Sequence, residues 1–451
     1  MPLLKTKTHM KKIKWLFFSF MLIKLSIGNA EDLLTVYQQS LEADPQLKTA
    51  AVKVQIGTAQ KGQSLGAMLP QIAGNSNWSL NNQKANLSTG ATTKSYQGTR
   101  YTISLTQTVL DFAKFWDWRR AQEIENQYAL ESIGAQHALM FNVVEKYFNV
   151  LEAEDQLYLT ETEKESTVKQ LEQVKKQYAK QLILITDVYE VEARLDQIKA
   201  SIIEAETQLV IAKESLKELT DSEPENLFKL RDNIEYKPLE GKLEDWIAVA
   251  KSENPTIAAQ IKAIAAANDN LAVQKSRYLP VVDMQLSYNS TNTGYQSISL
   301  GSSYDTQVAA INVTVPIFTG GTTTNRMYEA QYRLSISQYE NDAKVRALVK
   351  DTSDAFLSTN ASVKRINATK KALESTIKSR ESLEKGFLYG NETIGDVIIS
   401  QQKEFKAMLD LSAAKYDYVK NKIRFMQSTG LISEANIVEV NNWLQSVPNK
   451  Q

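Results

Sequence analysis

Apolar residues recur along this chain in two periods, and the switches between them mark out its elements. From Ile72 to Leu80 the even positions read Ile72, Gly74, Ser76, Trp78 and Leu80 against polar neighbours. From Arg100 to Val109, Tyr101, Ile103, Leu105 and Val109 alternate with Arg100, Thr102, Ser104, Thr106 and Thr108. The alternation returns at Val282, Met284, Leu286 and Tyr288, and again at Ile311, Val313 and Val315. A period of two over about ten residues means a strand with one apolar face. The pattern predicts hairpins over 71–109 and 281–316. The links 82–97 and 292–304 are rich in Asn, Ser, Thr and Gly and read as solvated loops.

Beyond each hairpin the period lengthens to that of a helix. The stretch 112–180 holds no proline and a single glycine, Gly134; a second long helix is predicted over 321–386, with neither residue between Thr322 and Lys385. At about 1.5 Å per residue each would be about 100 Å long. Helices of that length need packing partners along their whole course. Return helices over 187–219 and 396–428 supply them. Val188, Val191, Leu195, Ile198, Ile202, Ala205, Leu209, Ala212, Leu216 and Leu219 form an unbroken coiled-coil seam in the first. The second is looser, with Ile398, Phe405, Met408, Val419 and Met426 separated by polar gaps.

The chain is written twice. Asp44-Pro45 matches Asn254-Pro255, and Leu69-Pro70 matches Leu279-Pro280, both about 210 residues on. Thr108-Val109-Leu110 aligns with Pro316-Ile317-Phe318, Phe148 with Phe356, and Ile185-Thr186-Asp187-Val188 with Ile394-Gly395-Asp396-Val397. An ordered series of this kind marks a tandem duplication, 31–240 and 241–451. Each half opens with two helices joined at the Asp/Asn-Pro step, a helix-start signal. Each ends in a segment between the coiled coils, 220–240 and 429–451.

The first thirty residues change the picture. Lys5, Lys7, Lys11, Lys12 and Lys14 precede an apolar run from Trp15 to Ile27, and Gly28-Asn29-Ala30 follows. That is the layout of a cleaved signal peptide over 1–30. Without its six lysines the remaining chain is mildly acidic, which disfavours nucleic-acid binding. With no cysteine and only His9 and His137, Cys dyads, Ser-His-Asp triads and Cys/His zinc sites have nothing to build on. No cofactor, metal site or catalytic residue is expected, and no glycine-rich phosphate loop is present. No later run is apolar enough for a membrane helix, so a membrane crossing would have to use strands.

Four strands cannot close a barrel, and an open edge in lipid leaves backbone groups unpaired. Closed membrane barrels begin at roughly eight strands, so two copies are the minimum and three would supply twelve. A soluble β-sandwich capped by coiled coils, or a periplasmic coiled-coil scaffold without a pore, is the competing reading.

The duplicated pattern resembles the outer membrane efflux protein family, in its TolC branch. The residues that carry the likeness are Leu69-Pro70 and Leu279-Pro280, Leu105-Thr106-Gln107, Pro316-Ile317-Phe318-Thr319-Gly320-Gly321, Tyr147-Phe148-Asn149-Val150-Leu151, and the turns Ile185–Val188 and Ile394–Val397. The resemblance implies an α+β membrane protein. Its long coiled-coil helices would form a trimeric α-barrel, joined to a shared twelve-stranded transmembrane β-barrel in outer-membrane lipid. It also implies partners: a periplasmic adaptor and an inner-membrane ABC, RND or MFS pump, exporting drugs, small molecules or proteins by multidrug efflux or type I secretion.

On the same footing, the turns 178–188 and 387–397 would form the periplasmic mouth, with Thr186, Asp187, Phe387, Gly390, Glu392 and Thr393 at the gate and adaptor site. Asp396 corresponds to an acid of the narrowest pore ring. Three such carboxylates on one axis would bind cations and raise their own pKa values. The chain departs from the family pattern in three places. Phe387 and Glu392 stand where gate-closing Tyr and Arg are found, and Ile399 replaces a second ring acid. Asp187-x-x-Glu190 and Thr393-x-x-Asp396 also read as helix-capping boxes. Trp78, Tyr101, Tyr288 and Phe318 are candidates for an aromatic membrane girdle. Trp116 and Trp118 suit either that girdle or the core of the barrel junction.

Overall fold

The structure is a computed structural model that describes residues 31–87, 90–224, 226–292 and 303–445. The expected leader, 1–30, lies outside the described residues, as do most of the second hairpin link and the end of the last segment.

One element order occurs twice. Helices α1 (Leu33–Ala43) and α2 (Pro45–Gly66) lead into strands β1 (Gln71–Leu87) and β2 (Gly90–Leu110), then α3 (Phe112–Ala179) and α4 (Ile185–Thr220). After the short β3 (Lys229–Leu230), the order repeats as α5 (Leu243–Glu253), α6 (Pro255–Ser276), β4 (Val281–Asn292), β5 (Ser303–Thr314), α7 (Thr322–Leu388) and α8 (Ile394–Thr429). A final helix α9 (Glu434–Asn441) and strand β6 (Leu444–Gln445) follow.

Local chemistry sets the boundaries. Pro45 and Pro255 open their helices at positions where no amide donor is needed. The side chains of Asp44 and Asn254 accept from the amides of Leu47 at 2.9 Å and Thr256 at 2.9 Å. Asp111 starts α3 by accepting from Ala113 N at 2.9 Å. The long helices hold 68 and 67 residues, and the return helices 36 each. The upper part of each long helix is covered by α2 or α6 and the lower part by α4 or α8. Where α6 meets α8 end to end, Asn254 Nδ2 donates to the Ser428 carbonyl at 3.0 Å. Gly430 caps α8 there with φ of 78°, and a Cβ on it would stand 2.6 Å from the Glu253 carbonyl oxygen.

The main core lies at mid-height, between the coiled coils. Leu33, Tyr37, Tyr147, Phe148, Leu216, Tyr416, Val419, Ile423, Ile437 and Leu444 are buried together there. Tyr147 OH donates to the carbonyls of Glu31 at 3.1 Å and Phe228 at 3.0 Å, which satisfies an otherwise buried hydroxyl. Strands β3 and β6 pair antiparallel, Lys229 with Gln445 and Leu230 with Leu444, and tie the two connecting segments into one belt.

The strands form one antiparallel sheet in the order β1-β2-β4-β5. One expectation is corrected here. The link 82–97 is not a loop: β1 and β2 stay paired through Asn82–Ser95 out to Leu87–Gly90. Polar side chains on both faces hide the strand period, while the backbone ladder continues regardless of them.

Candidate functional site

Cross-strand register gathers the apolar side chains of the sheet on one face. Ile72 pairs with Leu105, Leu105 with Leu286, and Leu286 with Ala309. The next row on this face is Gly74, Ile103, Tyr288 and Gln307, and beyond it Ser76 lies opposite Tyr101 and Trp78 opposite Thr99. The other face carries Asn75, Asn77, Thr102, Ser104, Ser287 and Asn289. Ile72, Trp78, Leu80, Tyr101, Ile103, Ile311 and Val313 are all exposed in the single chain. From Tyr101 to Leu110 the strand climbs about 31 Å. Tilted by about 40°, that covers about 23 Å, close to the apolar band of an outer-membrane barrel. Both sheet edges, β1 and β5, lack a strand partner among the described residues.

Trp78 and Tyr101 lie at the upper margin of this face, and Tyr288 one row below Tyr101. Phe318 lies beyond the lower end of β5 and is almost fully exposed, as is Ile317. Trp116 and Trp118 are half-buried on the first turns of α3. Phe115 meets Trp116 edge-on at 5.7 Å, and the Arg119 guanidinium stands 5.1 Å above the Trp116 ring.

At the far end of the shaft, two turns reverse the chain. Gln181 (φ 59°) and Gly390 (φ 75°) both take the left-handed position just past a helix end. Leu182 N donates to Gln177 O at 3.1 Å, and Asn391 N to Gly386 O at 2.9 Å, so both helices end in the same six-residue bond. Beneath the turns, Val174, Val188, Val191, Ile394, Val397 and Ile398 form a small core of their own. Phe387 packs against it with Leu171, Ile183 and Leu383. Phe387 is thus a packing residue beneath the turns. The Glu392 side chain folds over Gly386, where an added Cβ would lie 2.5 Å from its Cγ.

Thr393 and Asp396 make a reciprocal cap. Asp396 N donates to Thr393 Oγ1 at 3.2 Å, while Thr393 N at 3.2 Å and its hydroxyl at 2.6 Å donate to Asp396 Oδ2. These bonds, the hydroxyl first, hold the Asp396 carboxyl below its ordinary value. In the single chain the shift is therefore opposite to the one expected for a crowded acidic ring. Asp187 is corrected in part: Leu184 is the residue at the cap, and Asp187 Oδ2 accepts from its amide at 3.2 Å. Glu190, expected to complete that box, instead lies against Gly395 of α8, with Oε1 3.1 Å from a Cβ built there. An acid at a helix N-terminus is favourably placed. Thr186 and Gly390 are exposed, and Leu182, Leu184, Leu388 and Tyr389 present apolar surface around them.

Above the tip are charged ties that the sequence reading missed. Arg194 of α4 donates to Glu163 of α3, and with the Gln402 amide turned to accept it also reaches α8 at 3.1 Å. Arg380 of α7 binds the buried Glu404 of α8, and Glu384 at 2.7 Å. The signal was available: Gln401 and Glu404 share the inward face of α8 with Val397 and Ile398, where a coiled coil calls for apolar residues. Among the described residues no group of His, Asp or Glu could hold a metal ion, and no helix is long and apolar enough to cross a membrane.

The chain is 30% identical over 444 residues to the outer membrane protein TolC of Vibrio cholerae, covering 97% of this chain and 99% of that one. It is 26% identical to the alkaline protease secretion protein AprF of Pseudomonas aeruginosa, covering 95% and 91%. Its fold matches the CmeC outer membrane channel of Campylobacter jejuni with a TM-score of 0.79 at 16% identity, covering 92% of this chain and 90% of that one. The sequence profile described as Outer membrane efflux protein matches twice, over residues 36–221 and 246–431. With the profile spanning most of both halves, this chain belongs to the outer membrane efflux protein family.

Proposed function

We propose that the chain is one subunit of a homotrimeric outer-membrane exit duct, a passive tunnel that receives its cargo from a pump. The sheet carries the argument. It has one apolar face of membrane height, one polar face and two open edges, and it continues directly into helices about 100 Å long. An open sheet in lipid leaves two edges of backbone groups unpaired. Three copies supply twelve strands, enough to close the sheet around a wide polar lumen. Trp78, Tyr101 and Tyr288 sit at the outer lipid boundary and Phe318 at the inner one. The helices form the shaft through the periplasm.

The tip is the gate and the docking site. Exposed Leu182, Leu184, Leu388 and Tyr389 around Thr186 and Gly390 offer apolar surface to a periplasmic adaptor, itself coupled to an inner-membrane ABC, RND or MFS pump. Asp396, repeated in each subunit, forms the narrowest ring. Since Phe387 is packed and Glu392 lies over Gly386, the closed mouth is held by the tip core and by the Arg194 and Arg380 ties.

The test is conductance in planar bilayers. The purified oligomer should conduct poorly and be blocked by divalent cations, and Asp396→Ala should raise conductance or relieve the block. Unchanged conductance and block would leave Asp396 a helix cap only; a water-soluble monomer would refute the duct.

A further inference from the structure

A cavity of about 530 Å³ lies over the joint where α6 meets α8. The joint is its floor, with Thr256 at the start of α6 and Gln427 and Ser428 at the end of α8. One wall is α3, at Gly134 and His137, and the other is α7, from Lys344 to Asp354. Cavities of this size hold small organic ligands; a single ion or water would leave most of it unfilled. Gly134 is the single glycine of α3, and a Cβ built on it meets only Thr256 Oγ1, 3.9 Å away. Packing does not demand a glycine there, and a helix interior disfavours one. Its effect is to keep the cavity open.

The charges that line it do not cancel. Lys350 is tied to Asp351 at 3.6 Å and to Asp354 at 3.0 Å on its own helix, which accounts for both acids of the cavity. Lys344 makes no ion pair among the described residues. Its ammonium donates to the neutral Gln260 Oε1 at 2.7 Å and keeps two further protons to give. Arg424 donates from one Nη to Glu145 at 3.4 Å, outside the cavity lining, and the rest of its fork is free to donate. His137 Nδ1 is buried without a hydrogen-bond partner. Pro255, Ile257, Ala347 and Leu348 supply apolar lining. Two uncommitted cations, a ring nitrogen in want of a partner and an apolar flank are the complement of a carboxylate on an apolar body.

The duplication supplies a comparison. Thr220 and Thr429 end α4 and α8, and Asp44 and Asn254 cap α2 and α6. Counting back from the two threonines, Arg424 answers to Ser215 and Gln427 to Glu218. At the second joint, then, amides stand where the first has the acids Asp44 and Glu218, and an arginine stands where it has a serine. All three changes make the cavity more positive. None is needed by the fold, which the first half builds without them. We propose that this cavity is a binding site for a small carboxylate with an apolar body, its carboxyl held between Lys344 and Arg424 and capped by His137. The ligand would tie α3 to α7 across the joint, which those helices approach from its two sides. The site lies within one chain and does not depend on the duct reading.

The test is titration of the purified protein in detergent with hexanoate, set against hexanol, hexylammonium and inorganic phosphate. Hexanoate should bind saturably by calorimetry and raise the thermal midpoint as its concentration rises. Hexanol and hexylammonium, which enter the detergent as readily, should do neither. Phosphate, without the apolar contacts, should bind at least about tenfold more weakly. Lys344→Gln and Arg424→Gln should each weaken hexanoate binding by about tenfold or more, the loss expected for a hydrogen bond to a charged group. Gly134→Leu favours the helix and fills the cavity without removing a charge. It should abolish binding, while an unliganded thermal midpoint no lower than the wild type's shows that the fold is kept. Four outcomes would overturn the proposal: no saturable hexanoate binding, binding that survives all three substitutions, hexanol or hexylammonium binding as tightly as hexanoate, or phosphate doing so. None of them bears on conductance, so the duct reading stands or falls separately.

Discussion

At mid-height the helices are joined by large rings, with Tyr147, Phe148 and Tyr416 buried together and the Tyr416 hydroxyl bonded to Asp155 at 2.7 Å. At the tip the same helix pairs are joined by a few Val and Ile side chains, one Thr–Asp cap and exposed turns. The mid-height belt also pins both connecting segments through β3 and β6, while nothing described crosses over the tip turns. Cooperative units with few buried contacts open first. The contrast therefore assigns holding to the middle of the shaft and movement to its end.

Three substitutions probe that contrast, in descending order of effect. Phe148→Ala removes a fully buried ring from the belt and should cost about 3–5 kcal/mol, seen as a lower thermal midpoint for the whole molecule. If only the tip loosened, the two regions would not be the separate units described. Ile394→Ala, in the tip core, should cost about 2–3 kcal/mol, with faster amide exchange confined to the tip and raised basal conductance. Faster exchange spread evenly over α3 and α7 would refute a separable tip. Thr393→Ala should cost about 1 kcal/mol, and it should flatten the acid response of the tip. The Asp396 carboxyl is held below its ordinary value in the folded tip. Its contribution is thus complete above the unfolded value near 3.8 and is lost as pH falls through the lower folded value. Amide exchange of α8's first turn, followed down from pH 6, should accelerate at the acid end in the wild type and less so in the variant, which keeps only the backbone amide bond to Asp396.

Much of this division was visible in the sequence, for particular reasons. The α4 seam from Val188 to Leu219 was legible because its main partner, α3, buries one stripe along most of its length. The α8 stripe read as loose because α8 touches both α7 and α3, and it buries Ser400, Gln401 and Glu404 as well as apolar residues. The apolar halves of the hairpins were legible by alternation; the polar halves were not, since a ladder of backbone bonds leaves no side-chain period. The belt strands β3 and β6 have two residues each, too short for any period. At the turns, the sequence named Phe387 and Glu392, but only coordinates could show what they touch. The capping box of Asp396 was written in Thr393-x-x-Asp396; that of Asp187 was misread because Leu184 offers its amide and carbonyl but no side-chain acceptor.

The joint at Gly430 has a mechanical consequence. With the Glu253 carbonyl 2.6 Å from where any Cβ would stand, and Asn254 bonded across to Ser428, α6 and α8 butt together like two lengths of one strut. Such a joint carries compression and resists swivelling. A load applied at the tip turns is therefore transmitted up the wall to the sheet, and bending of the shaft is left to the helices below the joint.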